Sequence, residues 1–188
     1  MTKPRRVSRA PKIAFIVEDP RWRKDAATLP LLRRAARLAV AQNPSPKPFS
    51  RRRSKKISTL PQGEGESAPK VTVLLTDDVR VRTLNREFRG KDKPTNVLSF
   101  PGAEPPYLGD IAIAYQTVVK EARAQAKSFA AHAAHPMVHG ILHLLDYDHE
   151  GDAAAKIMET LEIQILAKLG MSDPYNFPPL TRLDSQHP

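Results

Sequence analysis

The chain contains no cysteine in 188 residues. That excludes a disulfide framework, a thiol nucleophile and a thiolate metal ligand. Long apolar runs are also missing. The longest near the N-terminus, residues 13–17, ends at Glu18-Asp19-Pro20. It is too short for a secretory apolar region or a membrane span, so a cytoplasmic protein with no membrane partner is expected. Acidic residues are in deficit: 20 Asp and Glu face 30 Lys and Arg, a net charge of +10. An ordinary soluble protein can carry such an excess. A partner rich in phosphate is the sharper reading, because cations that meet phosphates release counterions. Much of the surplus sits in residues 3–12 and 47–56.

What the chain does have is three histidines close together in His139-Gly140-Ile141-Leu142-His143-Leu144-Leu145-Asp146-Tyr147-Asp148-His149. His139 and His143 are four apart, which on a helix places them one turn apart on one face. Asp146-Tyr147-Asp148 is a poor helix continuation and reads as a turn, after which His149 can return from a new direction. A chance pair of histidines on a helix is common. A third at this spacing, in an otherwise apolar segment, points to a metal site. Three imidazoles with a fourth position open match catalytic zinc. Metzincin proteases share the spacing but need glutamate after the first histidine as general base. Gly140 stands there, which argues against peptidase chemistry.

Along the chain, residues 1–11 read as a disordered basic arm and 13–17 as a short strand. Thr28 can cap a helix with Pro30 in its first turn. The apolar stripe Leu31, Leu32, Ala35, Leu38 and Ala39 follows, ending near Asn43-Pro44. Residues 44–69 are rich in Pro, Ser, Arg and Lys and read as a flexible basic insertion. Strands are expected at 71–75, 95–100 and 110–114, and helices at 78–88, with Val79, Val81, Leu84 and Phe88 available inward, and at 116–128. Residues 130–145 form the ligand-bearing helix, which either kinks at Pro136 or opens there. Asp152 can cap a last helix reaching about residue 169, stopped by Gly170. Its stripe of Ile157, Leu161, Ile165 and Leu169 is expected to be core rather than a cofactor box. The segment 175–188 is proline-rich and reads as a loose tail. The result is a single α+β domain over 12–174, with a mixed sheet, interrupted at 44–69.

The histidine segment resembles the signature H-G-x-L-H-L-x-G-Y-D-H of the YbeY family, bacterial metal-dependent endoribonucleases of ribosomal RNA maturation. Two further segments agree in order and spacing. Leu84-Asn85-Arg86-Glu87-Phe88-Arg89-Gly90-Lys91-Asp92-Lys93-Pro94-Thr95-Asn96-Val97-Leu98-Ser99-Phe100-Pro101 resembles L-N-x-x-[YF]-R-x-x-x-x-P-T-D-V-L-S-F-P. Leu108-Gly109-Asp110-Ile111-Ala112-Ile113 resembles L-G-D-I-x-I. The resemblance is strong over residues 70–170. It implies a small, mostly parallel four-stranded sheet with one reversed edge strand, surrounded by about five helices. It implies one zinc ion per chain on His139, His143 and His149, and an active-site arginine at Arg89. It implies single-strand-specific cleavage of RNA, in processing of the 16S ribosomal RNA 3′ end and in ribosome quality control. The partners implied are ribosomal RNA and, as a further candidate, proteins of the small ribosomal subunit. The rival readings are a non-catalytic RNA-binding assembly factor and a zinc hydrolase of another substrate.

Two positions depart from the family pattern. Asp146 replaces a glycine in the turn before the third histidine, and a positive φ there would be tolerated by aspartate but not freely. Asn96 replaces an aspartate, keeping shape and an acceptor oxygen without the charge. Among the remaining candidates, Arg89 has a planar fork suited to phosphate, or is a solvated arginine at a helix end. Ser99 is a phosphate contact or a plain strand residue. Asp110 lines the cleft or starts a strand. Asp148 orients a ligand histidine or occupies the turn. His132 and His135 are expected to be exposed or capping, and His187 has no expected role.

Overall fold

The sheet has four strands, and their composition explains their placement. The computed structural model describes residues 10–42 and 68–176. β1 (Lys12–Val17), β2 (Lys70–Thr76), β3 (Val97–Pro101) and β4 (Tyr107–Ala114) lie in the order β1-β2-β4-β3. β1, β2 and β4 are parallel, and β3 runs antiparallel to β4 along one edge. This is the α+β arrangement with one reversed edge strand that the family resemblance implies. The β-branched residues of β2 and β4 suit a pleat covered on both sides.

Five α-helices accompany the sheet among the described residues: α1 (Thr28–Val40), α2 (Asp78–Arg89), α3 (Tyr115–Ala124), α4 (Phe129–Leu144) and α5 (Asp152–Ala167). Alternation along the strands separates two faces. Val71, Val73, Leu75, Ile111 and Ile113 join the large core with residues of α1, α4 and α5. Leu98, Ala112 and Ala114 turn the other way and pack with Val81 of α2. α4 is apolar on nearly every side, the pattern of a helix enclosed by neighbours. Apart from its histidines and Pro136, its buried residues are all apolar or glycine.

Several local expectations are corrected. Thr28 does not cap α1; it is the first helical residue, and its hydroxyl donates to Asp25 at 2.8 Å. Asp152 is likewise inside α5, with Gly151 at the cap. α4 does not open at Pro136 but is continuous through it. The proline removes one helical N–H, and packing against the sheet and α1 outweighs that loss. A short 3-10 turn, Pro20–Arg23, escapes the periodicity argument. It buries Trp22, whose Nε1 donates to the Thr76 carbonyl at 3.0 Å. The basic insertion ends before residue 68: Ala68 is buried, and the Pro69 carbonyl accepts from the Lys12 N–H at 2.8 Å. The rest of that insertion, residues 1–9 and residues 177–188 lie outside the described residues. Tyr175, the first residue of the expected loose tail, is docked against Glu162 and His135.

Candidate metal centre

α4 presents His139 and His143 one turn apart, with their Nε2 atoms 3.0 Å from each other. The helix then ends in a reversal. The Tyr147 N–H donates to the Leu142 carbonyl and the Asp146 N–H to the His143 carbonyl, the paired bonds of a Schellman motif. That motif needs a left-handed residue, and Asp146 supplies it with φ +66°. The turn brings His149 back beside the helix. Its ring stacks on His139 (centroids 5.6 Å, 23°) and meets His143 edge-on at 5.1 Å. One nitrogen from each of the three lies within 4.8 Å of the other two.

The partners of the far ring nitrogens decide what those nitrogens can bind. His143 Nδ1 lies 3.0 Å from the Tyr147 carbonyl, which can only accept. Nδ1 therefore holds the proton and Nε2 is a bare lone pair. His139 Nδ1 lies 2.8 Å from Glu162 Oε1. Burial opposes charge on Glu162, but hydrogen bonds from His135, His139 and Tyr175 outweigh it and hold the carboxyl down at about 2. An ionised carboxylate accepts only, so His139 Nδ1 carries a proton, and the neutral tautomer of that ring has its lone pair on Nε2. With both rings in these neutral tautomers, two lone pairs face each other at 3.0 Å, an arrangement that a cation bound between them relieves. Burial first, and then the neighbouring His139 and His149, lowers the His143 pKa to about 4, which keeps that imidazole neutral and ready to ligate. The residues fit a metal ion.

Glu162 was not among the residues expected to matter. It sits on α5 with no exposed surface and also accepts from His135 Nε2 at 2.9 Å and from the Tyr175 hydroxyl. The signal was present in the sequence: position 162 falls four after Met158 and three before Ile165, both buried. A carboxylate in an apolar stripe must have partners.

β3 connects the histidines to Arg89. Its even-numbered residues pair with β4, as in the Ala114 N–H to Asn96 carbonyl and Gly102 N–H to Leu108 carbonyl bonds. The carbonyl of Ser99 therefore faces the open edge. Arg89, the last residue of α2, donates to it from Nη2 at 3.2 Å. The buried Ser99 hydroxyl donates inward to the Gly140 carbonyl at 3.1 Å, so it is engaged with α4 and not offered to a ligand. Gly140 faces the sheet. A Cβ there would lie 3.1 Å from Ser99 Oγ and from Val97 Cγ2, and 3.2 Å from Ile111 Cγ2. A glutamate at this position would be driven into β3, not toward the histidines.

The other candidates have structural tasks. Asp148 holds the turn by accepting from the N–H groups of His149 and Glu150. Asp110 lies within β4, on the face away from α4, and accepts from the Tyr107 hydroxyl. His135 and His132 are not caps; each has its Nε2 engaged by a carboxylate, and neither is in the group of histidines that could hold a metal. His132 is buried, with Nε2 2.9 Å from Glu121, which also accepts from Asn96 Nδ2 at 2.9 Å. Burial raises the Glu121 pKa, and the bonds from His132 and Asn96 more than reverse this. The amide at Asn96 is matched to that carboxylate, where an ionised aspartate would have no hydrogen to give. His187 lies outside the described residues.

A family model described as Endoribonuclease YbeY matches residues 48–170. The chain belongs to the YbeY endoribonuclease family. A relative from Azorhizobium caulinodans named Endoribonuclease YbeY is 45% identical over 175 residues, covering 89% of this chain and 98% of its own. One of the same name from Rhodopseudomonas palustris is 42% identical over 181 residues, covering 89% and 83%. A solution structure of a Thermotoga maritima protein aligns over 87% of this chain and 99% of its own, with a TM-score of 0.50 and 23% identity. It supports the fold alone. Among the described residues, no helix is long and apolar enough to cross a membrane.

Proposed function

We propose that this YbeY-family protein is a zinc-dependent endoribonuclease that cuts single-stranded RNA during ribosomal RNA maturation. The observation that carries the proposal is the joining of two groups through one residue. Ser99 gives its hydroxyl to the helix that bears the histidines and its carbonyl to Arg89. The helix that bears the histidines and an exposed guanidinium are thus both tied to the edge strand β3.

His139, His143 and His149 would hold the ion, and an all-imidazole set favours zinc. When bound, such an ion supplies Lewis acidity at a phosphoryl oxygen and a lower pKa for nearby water. The protein does the positioning. Glu162 and the Tyr147 carbonyl hold His139 and His143 in the tautomers that leave Nε2 free. Arg89 holds the scissile phosphate in its planar fork and offsets the charge that develops there. The basic surplus of the chain draws RNA toward the edge. The proposed partner is ribosomal RNA in the small ribosomal subunit, and the proposed location is the cytoplasm.

The test is incubation of zinc-loaded protein with single-stranded RNA, beside His143→Ala protein purified identically. Cleavage by the first and not the second is expected. Arg89→Ala should keep its zinc and its melting temperature while cleavage falls by about 10²-fold or more. RNA left intact by the loaded protein, but still bound, would favour the non-catalytic assembly factor. Near-normal cleavage by Arg89→Ala would remove that residue from the reaction.

A further inference from the structure

The last turn of α2 ends beside Arg89 with a large apolar side chain in solvent. Phe88, expected inward from the helical spacing, is instead 66% exposed. A single exposed apolar residue is ordinary on a protein surface, and three features set this one apart. Its ring meets Phe100 of β3 edge-on, with centroids 5.2 Å apart at 69°, so it is braced against the sheet. Phe100 follows Ser99, whose carbonyl holds Arg89, which itself follows Phe88. The aromatic pair and the guanidinium thus share one stretch of the open edge. The chain after the helix is also pinned in place. Gly90 ends α2 in the left-handed conformation, and buried Asn85 donates to the Lys93 carbonyl at 2.7 Å.

The charges around this corner suit a phosphate backbone. Arg86, Arg89, Lys91 and Lys93 surround Phe88 in the sequence and are all exposed. Of the two acids there, Asp92 is occupied by Arg82 at 2.7 Å and Arg86 at 3.8 Å, leaving Glu87. A rigid aromatic face among cations is the combination that binds unpaired nucleotides, because every base has a π-face and every linkage a negative charge.

We infer that the exposed face of Phe88 is a stacking subsite for an unpaired RNA base next to the phosphate held by Arg89. The inference rests on the endoribonuclease reading and deepens it. It places the preference for single strands in a named side chain: in a duplex the base faces are already covered by their neighbours, so Phe88 has nothing to stack on. The ring contributes to substrate binding and takes no part in bond cleavage.

The experiment uses the full-length zinc-loaded protein and fluorescein-labelled oligoadenylate. Phe88→Ala should bind about 5- to 150-fold more weakly, the range of one base–aromatic stack. KM should rise with little change in kcat, and zinc content and melting temperature should stay the same. Phe88→Trp should keep its affinity, and the introduced indole should be quenched by oligoadenylate. The native Trp22 is wholly buried and gives a constant background. A third arm needs no variant: an abasic oligoribonucleotide of equal length should bind the wild type as weakly as oligoadenylate binds Phe88→Ala. Equal affinity for the abasic strand, unchanged affinity of Phe88→Ala, or an indole not quenched would each overturn the subsite. Wild-type protein that cuts RNA while Phe88→Ala cuts with the same KM overturns the subsite alone. Wild-type protein that neither binds nor cuts RNA overturns the endoribonuclease reading and the subsite with it.

Discussion

Glu162 and Asp146 support the histidines in different ways, and both can be tested by substitution. Glu162 is an acceptor buried behind His139. Removing such a support typically weakens metal affinity about 10- to 100-fold, and Glu162→Gln is expected in that range by competition against a chelator. The same carboxyl makes an acid-stability prediction. Its folded pKa, about 2, lies below the ordinary 4.5, so the unfolded chain binds more protons between those values. The stabilisation is complete above pH 4.5 and is lost as pH falls from there toward 2. Urea midpoints measured across that window should fall more steeply for the wild type than for Glu162→Gln, and parallel slopes would contradict the assignment. Asp146 sits at φ +66°, where a Cβ is mildly unfavourable. Asp146→Gly should stabilise the protein by a few tenths to about 1 kcal/mol, read from urea unfolding, with zinc affinity no worse. A clear destabilisation would show that contacts made by the Asp146 side chain outweigh the backbone strain.

At the scale of elements, the contact between α4 and β3 sets the distance between the histidines and the edge strand. Gly140 makes that contact close, and the neighbours a Cβ would meet are a bonded hydroxyl and two branched methyl groups at 3.1–3.2 Å. None is the free end of a flexible chain. Gly140→Ala should therefore destabilise the protein by roughly 1–3 kcal/mol, as small-to-large changes in packed sites do. It should also slow RNA cleavage, because it moves α4 away from the strand that holds Arg89. Thermal unfolding and initial rates check the two halves separately. A variant as stable and active as the wild type would mean that β3 yields without consequence.

For the whole molecule, the basic run containing Lys47, Arg51, Arg52, Arg53, Lys55 and Lys56 lies outside the described residues. Its neighbours Ala68 and Pro69 are part of the fold. Replacing residues 45–66 by a short Gly-Ser linker should leave the melting temperature nearly unchanged while weakening RNA binding. The salt dependence should flatten by about 0.7 in log–log slope for each phosphate that the shortened chain no longer neutralises. An unchanged slope would show that the run takes no part in binding, and a large drop in melting temperature would show that it joins the core.

Local pattern was enough for much of this protein. Four-residue spacing put His139 and His143 on one face, and Asp146-Tyr147-Asp148 announced the turn that returns His149. Alternation and periodicity located the four strands and five main helices to within a few residues, because burial on one side imposes those periods. Collinear motifs pointed to the family and to Arg89. The tertiary structure alone decided which polar groups meet. Nothing local pairs Glu162 with His139 across 23 residues, or Glu121 with His132 and Asn96. Such pairs form where separate elements close on one another, and a buried carboxylate must find donors wherever packing places them. The same holds for Ser99. Its position in a strand follows from the sequence, but its two bonds, to α4 on one side and to Arg89 on the other, exist only because β3 is an edge strand lying under α4.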